Sequence, residues 1–110
     1  MAVTQSALAH AMVRDLLRVA PPETDIRRIW VWSQHGYVDP ERDYVELTVM
    51  HGPIDQKTLY RFLGAVADMT DELYPEANKF LHTFSSADIS DEDIEGELRP
   101  GVEEIELGGA

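Results

Sequence analysis

The chain has 110 residues, with 9 Lys and Arg, 21 Asp and Glu, no cysteine and a formal net charge of −12. This length predicts one domain over residues 1–110, and hydrophobic residues at 44% allow it to bury a core. The acidity excludes binding to nucleic-acid phosphates or to an anionic membrane, and the lack of cysteine excludes disulfides, thiol nucleophiles and cysteine-ligated metals.

The first predicted element is an amphipathic helix over residues 5–19. Thr4 or Ser6 can cap its start, and the prolines at 21–22 end it. Its apolar side recurs every three or four residues at Leu8, Met12, Leu16 and Val19. No basic region precedes this helix, and no apolar stretch approaches the ~18 residues of a membrane span. We therefore expect a cytoplasmic protein.

Alternating apolar residues predict two strands, over residues 27–34 and 43–51, and the short loop between them favours antiparallel pairing. The longest predicted helix covers residues 55–74, with Asp55 as its N-cap and Pro75 as its stop. Its buried side is predicted to comprise Leu59, Phe62, Leu63, Val66, Met69 or Thr70, and Leu73.

Shorter elements follow. Residues 79–85 alternate like a third strand, and residues 88–101 read as an acidic loop or short helix that Ser90 can cap. Residues 102–107 predict a short edge strand before a frayed tail at 108–110. The order α-β-β-α-β-(α)-β predicts an α+β fold. Its single mixed or antiparallel sheet has three to four strands, with two main helices packed on one face.

Strand alternation also predicts which side chains lie on the face away from these helices. They are Trp30, Trp32, Tyr44 and Met50. Two helices cover only one face of a sheet, so this aromatic set predicts an exposed surface for a protein partner or for a homodimer. The alternative is that the first helix, the long loop or the C-terminal segment folds over it.

One acidic pattern resembles the first half of an EF-hand calcium loop. Asp91, Asp93 and Glu95 alternate as oxygen ligands before Gly96, but position twelve, where such loops carry a bidentate Glu, is Val102. The alternative is a solvated helix start whose carboxylates are favoured by the helix dipole.

The sequence contains four histidines: His10, His35, His51 and His82. Three of them, at 35, 51 and 82, could form a transition-metal site only if the fold brought them together, because no HxH or HExxH spacing arranges them in advance. Scattered surface histidines are the interpretation that the sequence favours. No GxSxG, P-loop or GxGxxG signature is present either. We therefore expect no cofactor, with Ca²⁺ or Mg²⁺ as the alternatives.

The stretch WVWSQHGYVDPERDYVELTV, followed by GPIDQKTLYRFL, resembles a minimal nucleotidyltransferase domain of the polymerase-β type. The resemblance covers residues 13–107 in element order and length. Ser33 stands where that family has a serine, and Asp43 stands at its first acid. The resemblance implies an α+β fold and, in active members, nucleotidyl transfer through Mg²⁺ held by carboxylates.

This sequence departs from that family at the residues that hold the metal. Trp32 replaces the glycine before the serine, and Val45 stands at the second acid. Glu46 comes one residue later and therefore on the opposite strand face. Residues 81–83 of the third strand carry no acid. The resemblance thus implies a catalytically inactive member, and the alternative is an enzyme that uses Asp43 and Glu46 with Mg²⁺.

Together these patterns predict a small acidic, non-enzymatic interaction module of the antitoxin, immunity or adaptor type. It would bind through the aromatic sheet face, and its acidity would suit a basic partner. The alternatives are a nucleotidyltransferase-like enzyme and a module that binds a divalent metal.

Overall fold

A computed structural model describes residues 5–108 as a four-stranded mixed sheet with helices on both faces. The α+β fold and its element order are confirmed. The helices are α1 (Ala7–Val19), α2 (Gln56–Leu73) and α3 (Asp91–Ile94), with 3₁₀ turns at Pro22–Thr24 and Glu95–Glu97. The strands are β1 (Ile26–His35), β2 (Asp43–His51), β3 (Asn78–Ser85) and β4 (Glu103–Ile105). Thr4 and positions 109–110 of the predicted tail lie outside the described residues.

The strands lie side by side in the order β3-β2-β1-β4. β1 pairs antiparallel with β2 and β4, whereas β3 runs parallel to β2. The parallel pairing follows from α2, because a helix between two strands returns the chain to the end where the first strand began. Within residues 5–108, no helix has the length and apolar character needed to cross a lipid bilayer.

Side-chain caps fix where the helices begin. The Ser6 hydroxyl accepts a hydrogen bond from the Ala9 N–H at 3.2 Å, and the Asp55 carboxylate accepts one from the Thr58 N–H at 2.8 Å. Ser90 caps α3 in the same way. The predicted caps at Ser6, Asp55 and Ser90 are therefore confirmed, since each side chain satisfies an N–H that the first helical turn leaves unpaired.

The main core lies between the sheet and the helices α1 and α2. Its buried members are Ala9, Met12, Val13, Leu16, Ile29, Val31, Val45, Leu47, Val49, Phe62, Val66, Met69 and Ala77. The predicted stripe of α2 is correct except at its end. Leu73 is 47% exposed, because in the last turn it borders surface clefts instead of the sheet.

A second, smaller core covers part of the other face. Trp30 and Met50 are each 2% exposed, and Ile94 of α3 packs against them. Partly buried residues complete this cluster: Phe84, Ile89, Leu98 and Val102. The expectation that Trp30 and Met50 are open to a partner is therefore corrected. The C-terminal segment, residues 89–102, covers them, as one of the alternatives foresaw.

Arg28 fastens this segment to the sheet. Its guanidinium lies 4.7 Å from the centroid of the Trp30 ring and donates to Glu104 at 2.7 Å and to Glu95 at 3.0 Å. A longer contact of 3.4 Å reaches Asp91. The hydrogen bond to Glu104 is the main reason that the pKa of Arg28 lies above the ordinary value for arginine. The guanidinium of Arg28 is therefore permanently charged.

Candidate functional site

Beside the covered area, three rings form a group on the same face, the aromatic cluster: the half-buried Trp32 and Tyr44 and the exposed Tyr37. Their centroids are 5.0 Å apart for Trp32 and Tyr37, 5.9 Å for Trp32 and Tyr44, and 5.1 Å for the two tyrosines. Strand alternation places Trp32 of β1 and Tyr44 of β2 on this face, as predicted, and Tyr37 reaches it from the loop between these strands.

The loop conformation presents Tyr37 to solvent. Gly36 has φ of +76°, a left-handed value that favours glycine, and its N–H donates to the Arg42 carbonyl at 2.9 Å. The chain therefore turns sharply just before Tyr37 and Val38. These two side chains are 45% and 62% exposed, so the loop places apolar surface in water beside the partly buried Trp32.

Arg99 from the C-terminal segment lies over the cluster. Its guanidinium carbon is 4.2 Å from the Trp32 ring centroid and 5.2 Å from that of Tyr37. It also donates to both carboxylate oxygens of Glu46, at 3.2 and 3.1 Å. This bidentate pair and the cation–π contact hold the rings in one arrangement.

Glu46 is a structural carboxylate at this site. Burial raises its pKa, but hydrogen bonds from Arg99 and Tyr44 outweigh burial and keep the pKa below its usual value. Burial, reinforced by the bond to Glu46, raises the pKa of Tyr44 to about 12. At neutral pH the group therefore consists of a carboxylate neutralised by Arg99 and an un-ionised tyrosine that donates to it at 3.0 Å.

An acidic ridge adjoins the aromatic cluster on the same face of the sheet. It consists of exposed residues of α3 and the following 3₁₀ turn: Asp91, Glu92, Asp93, Glu95 and Glu97. Ile94 packs onto Trp30 of β1 and Met50 of β2, and Arg28 of β1 binds Asp91 and Glu95, so the ridge is held to the β1 side of this face.

The fold separates the acids of the nucleotidyltransferase resemblance. Asp43 and Glu46 have opposite strand parity and so project from opposite faces. Asp43 pairs with the His35 ring at 2.8 Å, while Glu46 binds Arg99. The Ser33 hydroxyl donates to the Gln5 side chain at 3.1 Å and so joins β1 to the start of α1. These residues do not form one catalytic group.

Neither the acids of the EF-hand-like pattern nor the three histidines at 35, 51 and 82 form a metal site. Asp91 and Glu95 bind Arg28, so two of the three EF-hand-like acids face a guanidinium. His35 and His51 lie at opposite ends of the β1–β2 pair, and His82 lies on β3 between two phenylalanines. Across residues 5–108, no three His, Asp or Glu side chains are grouped so that they could hold a metal ion.

The interpretation of all histidines as surface residues is wrong for His51. This side chain is buried, and its Nδ1 donates to the Gly52 carbonyl at 2.7 Å. The burial is possible because that hydrogen bond satisfies one ring nitrogen locally.

Sequence reasoning missed two residues of the site, Tyr37 and Arg99. Tyr37 and Val38 were detectable as large apolar residues in an otherwise polar loop. Arg99 was detectable as the only basic residue between positions 88 and 106. A lone cation in an acidic segment is a candidate for a specific ion pair with the rest of the fold.

Comparisons with models of protein families, with curated proteins and with solved structures find no match to this chain. The resemblance to nucleotidyltransferases therefore rests on the sequence alone.

Proposed function

We propose that this chain is a small acidic, non-enzymatic interaction module of the antitoxin, immunity or adaptor type. It binds a basic protein partner through the aromatic cluster and the adjoining Val38. The observation that carries this proposal is the exposure of Tyr37 and Val38, at 45% and 62%, beside a tryptophan. Exposed apolar groups of this kind mark interaction surfaces.

The cluster has the properties of a binding hot spot. Trp and Tyr contribute most to interface energies because they bury a large area at a small cost in side-chain entropy. Trp32 is already held by edge contacts with two tyrosines and by Arg99 at 4.2 Å. Little ordering therefore remains to oppose association.

The acidic ridge predicts that the binding surface of the partner is basic. Carboxylates beside an apolar patch accelerate encounters with a basic surface and reject acidic proteins. Since exposed charges are screened over about 8 Å at physiological ionic strength, association should weaken as salt is added.

The test is co-purification from native extract with a double variant, Tyr37→Ser with Val38→Ser, against a matched control, Tyr60→Ser. Tyr60 is an exposed tyrosine on α2, which packs on the other face of the sheet. The double variant should bind the basic partner about 30-fold or more weakly than the wild type does. This is the change expected when a hot spot worth roughly 2 kcal/mol is removed. The control should retain that partner.

The proposal fails if the double variant and the control retain the same partner equally well. It also fails if the chain is recovered alone at low salt.

A further inference from the structure

We propose that the outer edge of β3 pairs antiparallel with β3 of a second copy, so that the two sheets become continuous. This edge is separate from the partner site, because β3 and β4 are the two opposite edges of the sheet and the acidic ridge is held to β1, next to β4.

The hydrogen-bonding groups available for such pairing can be assigned from the register. The Ser86 N–H donates to the His51 carbonyl across the β2–β3 ladder at 2.8 Å. Backbone groups alternate in direction along a strand, so the even-numbered residues of β3 bond to β2. The N–H and C=O groups of Lys79, Leu81 and Thr83 then point outward, and no other strand in residues 5–108 lies beside them.

The two edges of the sheet differ in the features that prevent edge pairing. β4 is only 3 residues long and carries Glu103 and Glu104. β3 has 8 residues, NKFLHTFS, with Lys79 as its one permanently charged side chain. It has no proline, and its register with β2 is unbroken. Short length, charge, proline and bulges are the usual protection of an edge, and of these β3 has only the charge of Lys79 near its start.

The distribution of charge also favours β3 as the self-association edge. Two copies that each carry a net charge of −12 repel one another unless their acidic surfaces are far apart. Two acids of the ridge, Asp91 and Glu95, are bound to Arg28 of β1, whereas the outer edge of β3 is at the other end of the order β3-β2-β1-β4. Lys79 meets a carboxylate of its own copy, Asp71, at 3.1 Å, so the edge is locally near neutral.

Apolar surface flanks this edge on both faces. On the helix side, a groove of about 270 Å³ between α2 and β3 is lined by residues that include Leu63, Ala67 and Leu81. On the other side, Phe80 is 50% exposed and lies 4.5 Å from the His82 ring. An isologous pair around a two-fold axis perpendicular to the sheet sets odd-numbered residues opposite odd-numbered ones. In this pairing the α2–β3 groove of one copy lies next to the same groove of the other. On the opposite face, Phe80 lies beside His82 or Phe84 of the second copy.

The primary experiment is sedimentation equilibrium of the full chain over a range of concentrations. Wild type should dimerise. Thr83→Pro should weaken the dimer at least tenfold, because it removes an outward N–H without touching the β2 ladder. Phe80→Lys should weaken it similarly, whereas Leu17→Lys, which places the same charge at an exposed apolar position on α1, away from β3, should leave it unchanged.

A second measurement locates the contact even if Thr83→Pro fails to fold. The chain has no cysteine, so Leu81→Cys and His82→Cys introduce single thiols. Directly opposed residues of an antiparallel pair have Cα atoms about 4.5–5.5 Å apart, within disulfide range. At least one variant should oxidise to a covalent dimer, whereas a control on α1, Leu17→Cys, should not. A wild type that is monomeric up to roughly 1 mM, or a dimer that neither cross-links at β3 nor responds to Phe80→Lys, overturns the proposal.

Discussion

Replacing Ile94 by alanine should destabilise the chain by about 3 kcal/mol. Ile94 is fully buried against Trp30 and Met50. The substitution removes three carbon atoms, and at about 0.8 kcal/mol for each buried methylene-sized group the transfer loss alone is roughly 2.4 kcal/mol. The cavity that remains adds to this loss. The addition should be modest, because α3 has only 4 residues and can settle towards the sheet.

Urea unfolding, followed by tryptophan fluorescence and by far-ultraviolet circular dichroism, measures this loss. Coincident transitions would show that the C-terminal segment unfolds with the domain. Leu73→Ala is the matched control, because this leucine is 47% exposed and its truncation should cost less than about 1 kcal/mol. An Ile94→Ala variant within about 0.5 kcal/mol of wild type would refute the conclusion that the segment belongs to the core.

Two further predictions concern Glu104, which binds the Arg28 that holds this segment, and Gly101 within it. Hydrogen bonds from Arg28 hold the pKa of Glu104 below its usual value, so this carboxylate stabilises the fold above about pH 4.3 and stops doing so as the pH falls through its native pKa. Wild type should therefore exceed Glu104→Gln in stability at pH 7, by less than about 1 kcal/mol, and the gap should close as the pH falls through the native pKa of Glu104; a gap independent of pH would contradict this. Gly101 has φ of +89°, and a Cβ there would lie 3.8 Å from Trp32 Nε1, an ordinary contact. Gly101→Ala should thus cost about 1–2 kcal/mol in thermal or urea unfolding through backbone strain alone, whereas Gly64→Ala, inside α2 with open space around it, should stabilise by roughly 0.5–1 kcal/mol.

Local signals predicted most of the fold. α2 could be located because a capping aspartate, an apolar repeat and a proline stop agree, and the structure places it at Gln56–Leu73. The faces of β1 and β2 could be predicted because alternation leaves no freedom once one face is buried. This reasoning placed Trp32 and Tyr44 together, and it placed Asp43 and Glu46 on opposite sides.

The cover over Trp30 was not predictable in the same way. It depends on a contact between β1 and a segment far along the chain, and the four apolar residues of that segment are spaced four or five apart among acids: Ile89, Ile94, Leu98 and Val102. Such spacing reads as a solvated acidic loop because no single turn is strongly amphipathic. The ion pair between Arg99 and Glu46 is equally non-local, so neither residue alone reveals it.

The late position of this cover in the chain affects how the protein is made. Trp30 and Met50 are synthesised well before Ile94 and Val102, which shield them. At translation rates of about 5–20 residues per second, the aromatic face has no cover for roughly 3–10 s. Nascent chains that stop before Ile94 would keep this face exposed next to a bare β1 edge. Such truncated products should be the forms of this protein most prone to aggregate.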